Sequence, residues 1–414
     1  MAETTVEQVE VNGIKVPMIF EQDPRLPIVS MQLVFRQSGS IEDGADAGLA
    51  KVTASMLNEG TQKRGAVGFA EALDARAIHL SVHAGTETMV FEMGSLKEEF
   101  GEAVGLLEEL LTTPNLSKEA LQKVKTTTVG ALSRKESDFD YVANRELKAA
   151  LFAKSPLATP ASGTVESVKA MELKQIKSFV KNHLQTSRAI VVIGGDISKA
   201  DAADAARRLL GHLPKGSLES LGFYPASAAA KTELLKRKTE QAYVYFGAPF
   251  EMKVGDPEHY ISRVAMFILG SGGFGSRMME EIRVKRGLAY SAYCRANIAR
   301  SNSYFFGYLQ TKIASQKEAV ETVREVIETF IEKGVTQEEL DQAKRFLLGS
   351  EPLRVETLSQ RLSRTFLEYY KGEGIGASTR ELAQIETLDL ATLNAFIKKH
   401  GEIEKLTFAI VTEE

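Results

Sequence analysis

The chain of 414 residues has no tryptophan, one cysteine, six histidines and no apolar run of 18 or more residues. Each scarcity excludes something. Cys294 alone cannot close an internal disulfide, so the fold does not rest on a cystine framework. A single thiol leaves the redox compartment open and reads as a small apolar core residue. Without a long apolar run there is no candidate helical membrane span. The opening residues M-A-E-T-T-V-E-Q lack both the basic and the apolar region of a signal peptide. The chain as written is therefore expected in the cytoplasm, or in the periplasm if a leader has been removed. Nor is charge of one sign in excess. Lys and Arg number 51 against 55 Asp and Glu, a formal net charge of -4. A phosphate-binding surface needs a basic surplus, so no nucleic-acid partner is expected.

What is present is globular in kind, with 43% apolar and 26% charged residues. The length exceeds what one core supports. An internal duplication organises it. E-A-V-G-L-L-E-E-L-L from Glu102 matches E-A-V-E-T-V-R-E-V-I from Glu318, and F-V-K-N-H from Phe179 matches F-I-K-K-H from Phe396. After the second pair comes a β-like run in each copy, from Arg188 and from Leu406. Two homologous domains are expected, 1–214 and 231–414, joined by a linker at 215–230 that is rich in Ser, Gly and Ala and holds Pro225.

Local patterns fill in the halves. Asn12-Gly13 between alternating runs reads as a two-residue hairpin turn. Residues 28–35 read as a strand, and 46–58 as a helix with Asp46 as N-cap. Residues 77–93 alternate around Gly85-Thr86 as a second hairpin, and 97–111 and 117–137 have helical spacing. Hairpins with helices grouped between them predict an α+β fold: two domains, each a mostly antiparallel sheet packed on one face by helices.

Residues 48–61 read G-L-A-K-V-T-A-S-M-L-N-E-G-T. Helix positions i, i+3 and i+4 share a face, so a His-x-x-Glu-His motif can aim two imidazoles and a carboxylate at one metal. Here those places hold Lys51, Ala54 and Ser55. An ammonium repels a dication, alanine offers no donor and a lone hydroxyl is a poor zinc ligand, so no metal is expected. The nearest histidine pair, His79 and His83, lies in the alternating run I-H-L-S-V-H-A. On a strand that spacing is about 13 Å, too long to chelate one ion alone. These two read as solvated or satisfied histidines, and His183 and His400, at matched places in the repeat, as ends of equivalent helices.

A second motif, S-R-M-M-E-E-I-R-V-K-R-G-L-A-Y-S, runs from Ser276 to Ser291. It predicts a helix closed by Gly287, then a strand, with Arg283 and Tyr290 on either side of the turn. By spacing alone Arg283 is a surface group paired with Glu280 or Glu281, and Tyr290 is core. Just upstream, G-S-G-G-F-G is a literal GxGxxG with Gly270, Gly272, Gly273 and Gly275. A dinucleotide loop follows a strand and is trailed by an acid about 20 residues on. Here Ile261, Val264, Ala265 and Ile268 give helical spacing before it, and residues 292–300 contain no acid. The run reads as a flexible connector between helices. No Gly-x-Ser-x-Gly occurs and Cys294 has no neighbouring histidine, so no nucleophile is indicated.

The 48–61 frame, the 276–291 motif and the duplication together resemble the pitrilysin/insulysin-type peptidases, including the mitochondrial processing peptidase and its bacterial two-subunit relatives, over nearly the whole chain. In that family the inverted zinc motif is followed, about 76 residues later, by a glutamate ligand. Counting from Ser55 reaches Ala131, so the resemblance implies that all ligands and the general base are missing. It also implies the pitrilysin-like fold, and roles for Arg283 and Tyr290 in binding substrate backbone and stabilising an oxyanion at a partner's zinc site. Gly270, Gly272, Gly273 and Gly275 resemble a shortened form of the glycine-rich substrate loop of the noncatalytic processing-peptidase subunit. The expectation is a zinc-free subunit, inactive alone and without a cofactor of its own. Its partner would be a homologous chain that carries His-x-x-Glu-His and the zinc, and its substrate a peptide or unfolded polypeptide held extended at a sheet edge. The alternative is a scaffolding or peptide-binding, chaperone-like protein, for which a homodimer stays open.

Overall fold

Asn12 and Gly13 both have positive φ, 53° and 80°, as a two-residue type I′ turn requires. They join β1 (Thr5–Val11) to β2 (Ile14–Gln22) in antiparallel register, with Val11 opposite Ile14. The computed structural model describes residues 3–413. Its first sheet adds β3 (Ile28–Arg36), β4 (His79–Ala84), β5 (Thr88–Leu96) and β6 (Ala189–Gly195). The order is β1-β2-β6-β3-β5-β4. Only β2 and β6 run parallel; β4, β5, β3 and β6 are successive antiparallel neighbours.

Side chains of period 2 split this sheet into two faces. On β5, Met89, Phe91 and Met93 are buried while Val90, Glu92 and Gly94 are half-buried. The buried face, with Leu33, Phe35 and Phe91, packs against helices whose apolar stripes supply Met56, Leu107, Ile176 and Leu209.

The second sheet is built from β7 (Thr232–Lys236), β8 (Gln241–Pro249), β9 (Ala289–Ile298), β10 (Ser303–Lys312) and β11 (Thr407–Thr412). Its order is β7-β11-β8-β10-β9, with β7 and β11 parallel and the rest antiparallel. That sequence of directions is the same as β2-β6-β3-β5-β4. Its core holds Phe246, Phe305 and Phe408 against helix residues Val323, Ile327 and Leu340. The fold is thus α+β, with two mostly antiparallel sheets each backed by helices.

The chain divides into two compact units that are not contiguous halves. Unit 1 is Met1–Arg134, Thr159–Leu221 and Arg354–Leu367; unit 2 is Lys135–Ala158, Gly222–Leu353 and Glu368–Glu414. Burial explains the exchange. The helix Phe139–Leu151 places Leu147 and Leu151 with Tyr304 and Ala409, and Val142 and Ala143 with Val411, all in unit 2. In unit 1, Leu358 and Leu362 come so close to Gly194 of β6 that a Cβ there would lie 3.2 and 3.0 Å from them. Residues 214–231, around the expected linker, contain no helix or strand.

Candidate functional site

The degenerate motif forms a helix, Leu49–Leu57, in unit 1. Its start differs from expectation. Gly48, with φ 91°, is the N-cap, and Asp46 contributes only its backbone carbonyl to the Leu49 N–H. The capping carboxylate belongs to Asp43, which accepts the N–H groups of Gly48 at 2.7 Å and Ala50 at 2.8 Å. The left-handed turn at Gly48 folds Asp43 back over the helix end, which no linear capping signal announces. Burial pushes the Asp43 carboxyl up to about 7, against the opposing pull of those N–H bonds.

Along this helix Lys51 is exposed, Ala54 is buried and Ser55 is half-buried, its hydroxyl donating to the Lys51 carbonyl at 3.0 Å. Ala131 sits half-buried on the helix Lys118–Lys135. That helix is tied to the motif's end by Lys123, 2.7 Å from the Glu59 carboxylate. An ammonium, a methyl group and a spent hydroxyl do not fit zinc. Among the described residues no group of three or more His, Cys, Asp or Glu is placed to hold a metal ion. His79 and His83 do not stand apart as strand spacing suggested. Their rings lean toward each other, and both Nε2 atoms lie within hydrogen-bond reach of Ser81 Oγ, at 3.3 and 3.0 Å.

β4 is an edge strand of its sheet, and Asn58 closes it in the middle. The Asn58 Nδ2 donates to the Val82 carbonyl at 2.9 Å while its Oδ1 accepts the Val82 N–H at 2.9 Å. One side-chain amide thus takes both edge bonds that an added strand would use there.

In unit 2 the second motif brings its residues together. Ser276 is the N-cap of a short α-turn, Arg277–Met279, and the helix then widens into a π-turn over Glu280–Lys285. Gly287, with φ 61°, closes it as expected, its N–H bonding the Arg283 carbonyl at 3.1 Å. Arg277 anchors the start through Glu339 at 2.7 Å and the Gly334 carbonyl at 2.8 Å. Upstream, the helix His259–Met266 runs into a π-turn, Phe267–Ser271. Gly270 is packed so tightly on β9 that a Cβ would lie 2.3 Å from Cys294 Sγ. The expected flexible connector is therefore a packed helix end at Gly270, followed by a bend through Gly272, Gly273 and Gly275. Cys294 is buried and its thiol pushed up by burial, which leaves it an inert core residue.

The Arg283 guanidinium lies between two rings, 4.6 Å from the Phe274 centroid and 4.4 Å from that of Tyr290. Both rings are exposed, 71% and 82%. Tyr290 is thus not a core residue. Glu281 pairs with Lys285 at 2.6 Å instead of Arg283. Among the described residues the Arg283 side chain makes no hydrogen bond or ion pair, so stacking fixes the plane while its five in-plane donors stay unspent. Phe274 escaped notice in the sequence. The signal was there, a bulky apolar residue among glycines where a turn calls for none.

With this geometry in hand, the chain can be compared with known proteins. A model described as "Insulinase (Peptidase family M16)" matches residues 17–165, and one described as "Peptidase M16 inactive domain" matches residues 170–347. A relative from Helicobacter pylori, the "Non-peptidase homolog YmxG", is 45% identical over 405 residues, which is 98% of this chain and 94% of the relative. The chain belongs to the M16 peptidase family. Other members are more distant, such as an "Uncharacterized zinc protease YmxG" of Bacillus subtilis at 23% identity over 85% of each chain. The M16 fold is equally plain in solved structures. A "peptidase M16 inactive domain" from Pseudomonas fluorescens superposes with a TM-score of 0.91 at 23% identity, covering 98% of this chain and 97% of that one. A periplasmic protease, PqqL of Escherichia coli, gives 0.80 at 11% identity, with this M16 chain spanning 47% of its length. No described helix here is long and apolar enough to cross a membrane.

Proposed function

We propose that this M16 chain is a non-peptidase subunit that binds extended peptides and lends donors to the zinc site of a homologous, His-x-x-Glu-His-bearing partner. Two observations support the loss of activity: the Lys51, Ala54 and Ser55 set has no zinc ligands, and the 45% identical relative is named a non-peptidase homolog. The shared order of directions in the two sheets supports reading the halves as copies, at 1–214 and 231–414, of one ancestral unit.

One observation carries the donor role. Arg283 is clamped between the exposed rings of Phe274 and Tyr290, with its N–H groups free. A group that is both immobilised and unspent loses little entropy when it meets a carbonyl or a developing oxyanion. The Tyr290 hydroxyl adds a second donor beside it. The glycine bend through Gly272, Gly273 and Gly275 carries Phe274 into the stack and so belongs to the substrate side of the site.

The test is to co-express the chain with a His-x-x-Glu-His homologue and follow peptide cleavage. Arg283→Ala should leave the complex assembled and lower kcat/KM on the order of a hundredfold, the size of effect seen when one oxyanion donor is removed. An Arg283→Ala complex with undiminished kcat/KM refutes the donor role. The second reading is a chain that binds peptide without any part in catalysis, to which the relative's name, a non-peptidase homolog, is equally open. It predicts peptide binding by the isolated chain and no effect of Arg283→Ala on any partner.

A further inference from the structure

The face of the first sheet opposite its main helix layer, covered in part by the segment with Leu358 and Leu362, carries a carboxylate without a cation. Glu92 is half-buried on β5, and among the described residues its carboxylate has one hydrogen-bond partner, the Gln32 side-chain amide, which donates to Oε1 at 3.2 Å. No ion pair of Glu92 occurs among the described residues. Its cross-strand neighbours on β3 and β4 are Gln32 and Ser81, neither charged. A half-buried carboxylate with one neutral donor is an under-satisfied group, and a cation is its best complement.

Glu92 borders a cavity of about 150 Å³ whose other walls include Gln32, His79, Val192, Leu362 and Ser363. Gly94 forms part of the floor, and a Cβ added there would meet no atom within 4 Å. Strand interiors seldom carry glycine unless something approaches closely. The volume is that of a single side chain, about what admits a benzene-sized group. Ser30 and Ser359 also line a neighbouring groove of about 400 Å³, bounded by Leu26, Ile28 and Leu358. Leu26 is 60% and Ile28 38% exposed. All of these residues lie within unit 1.

We infer that this cavity is a seat for the basic side chain of a bound peptide, a lysine or arginine whose head meets Glu92 while the flanking apolar residues lie in the Leu26–Ile28–Leu358 groove. Val192 and Leu362 suit the methylene stem and the carboxylate suits the head, the two-part environment a long cationic side chain prefers. The inference rests on the peptide-binding part of the proposed function and names a preference that reading leaves open.

The experiment uses the full chain and two short fluorescein-labelled peptides, one with lysine between apolar residues and one with norleucine in its place, followed by fluorescence anisotropy. The lysine peptide should bind about tenfold more tightly or better. Glu92→Gln, which retains the bond to Gln32, should erase that difference and leave the norleucine peptide unaffected. Gly94→Val, which narrows the seat without touching the carboxylate, should weaken both peptides, since lysine and norleucine share the methylene stem. If neither peptide binds, the proposed function fails and this seat with it. Equal binding of both peptides by the native chain, or a lysine preference that survives in folded Glu92→Gln, overturns the seat and leaves peptide binding standing.

Discussion

At the scale of single residues, the motif helix shows how a lost active site is maintained as structure. Asp43 is 8% exposed and bonds two N–H groups at the start of that helix. Its carboxyl is nonetheless pushed up to about 7, because desolvation outweighs the bonds. A folded pKa above the unfolded value of about 3.9 means the protonated form is favoured in the native state. The stability this group contributes is complete below about pH 4 and is lost as pH rises through 7. The Asn variant cannot ionise, so urea unfolding of Asp43→Asn and native chains should show the difference in stability shifting toward the variant between pH 4 and 8. A difference that moves the other way would mean the helix N-terminus holds Asp43 ionised. Nothing in residues 43–50 reveals this linearly. Asp46 has the better sequence position, and the positive φ values at Gly44 and Gly48 bring Asp43 to the helix end.

At the scale of elements, much was legible because its causes are local. The Asn12-Gly13 turn, the closure at Gly287 and the alternation of β5 depend on a few consecutive residues and came out as read. What was not legible depends on how side chains and backbone settle against one another and not on residue pattern: the Phe274–Arg283–Tyr290 stack, the leaning of His79 and His83 onto Ser81, and the π-turns that replace regular helix at 267–271 and 280–285. The Asn58–Val82 pair belongs to this second kind, and it bears on how a peptide can dock. Strand addition along β4 would have to displace the amide at Val82 or begin beyond it. Asn58→Ala removes three hydrogen bonds, two to Val82 and one to the Ala54 carbonyl, from a partly exposed site and should cost about 1–2 kcal/mol in urea unfolding. The same variant should bind extended peptides more tightly if β4 is the docking edge; unchanged affinity would place docking elsewhere.

At the scale of the whole chain, a two-domain fold was legible and the exchange of segments was not, since the expected number of units says nothing about which pieces each one keeps. Residues 354–367 belong with unit 1, and Arg361 is one polar group that secures them there. It bonds Glu21 at 2.8 Å through Nε and Asp23 at 3.0 Å through Nη2, across 340 and 338 residues of sequence. Glu21 is 1% exposed and Asp23 is also approached by Arg25, whose hydrogen bond holds the Asp23 carboxyl down to about 2. Removing the cation strands a buried carboxylate, which typically costs about 3–5 kcal/mol, whereas replacing both charges by neutral groups of similar shape costs far less. Arg361→Met should therefore lower the unfolding midpoint sharply, and Glu21→Gln added to it should restore most of the loss. Asp23 gives a pH dependence of its own. A depressed pKa contributes stability that is present above about pH 4 and lost as pH falls toward 2, and because Arg25 stays beside Asp23 when Arg361 is replaced, native and Arg361→Met chains should both lose stability in that window. If the double variant is no more stable than Arg361→Met alone, the segment is held by Leu358 and Leu362 packing on β6, and the ion pair is incidental to the exchange.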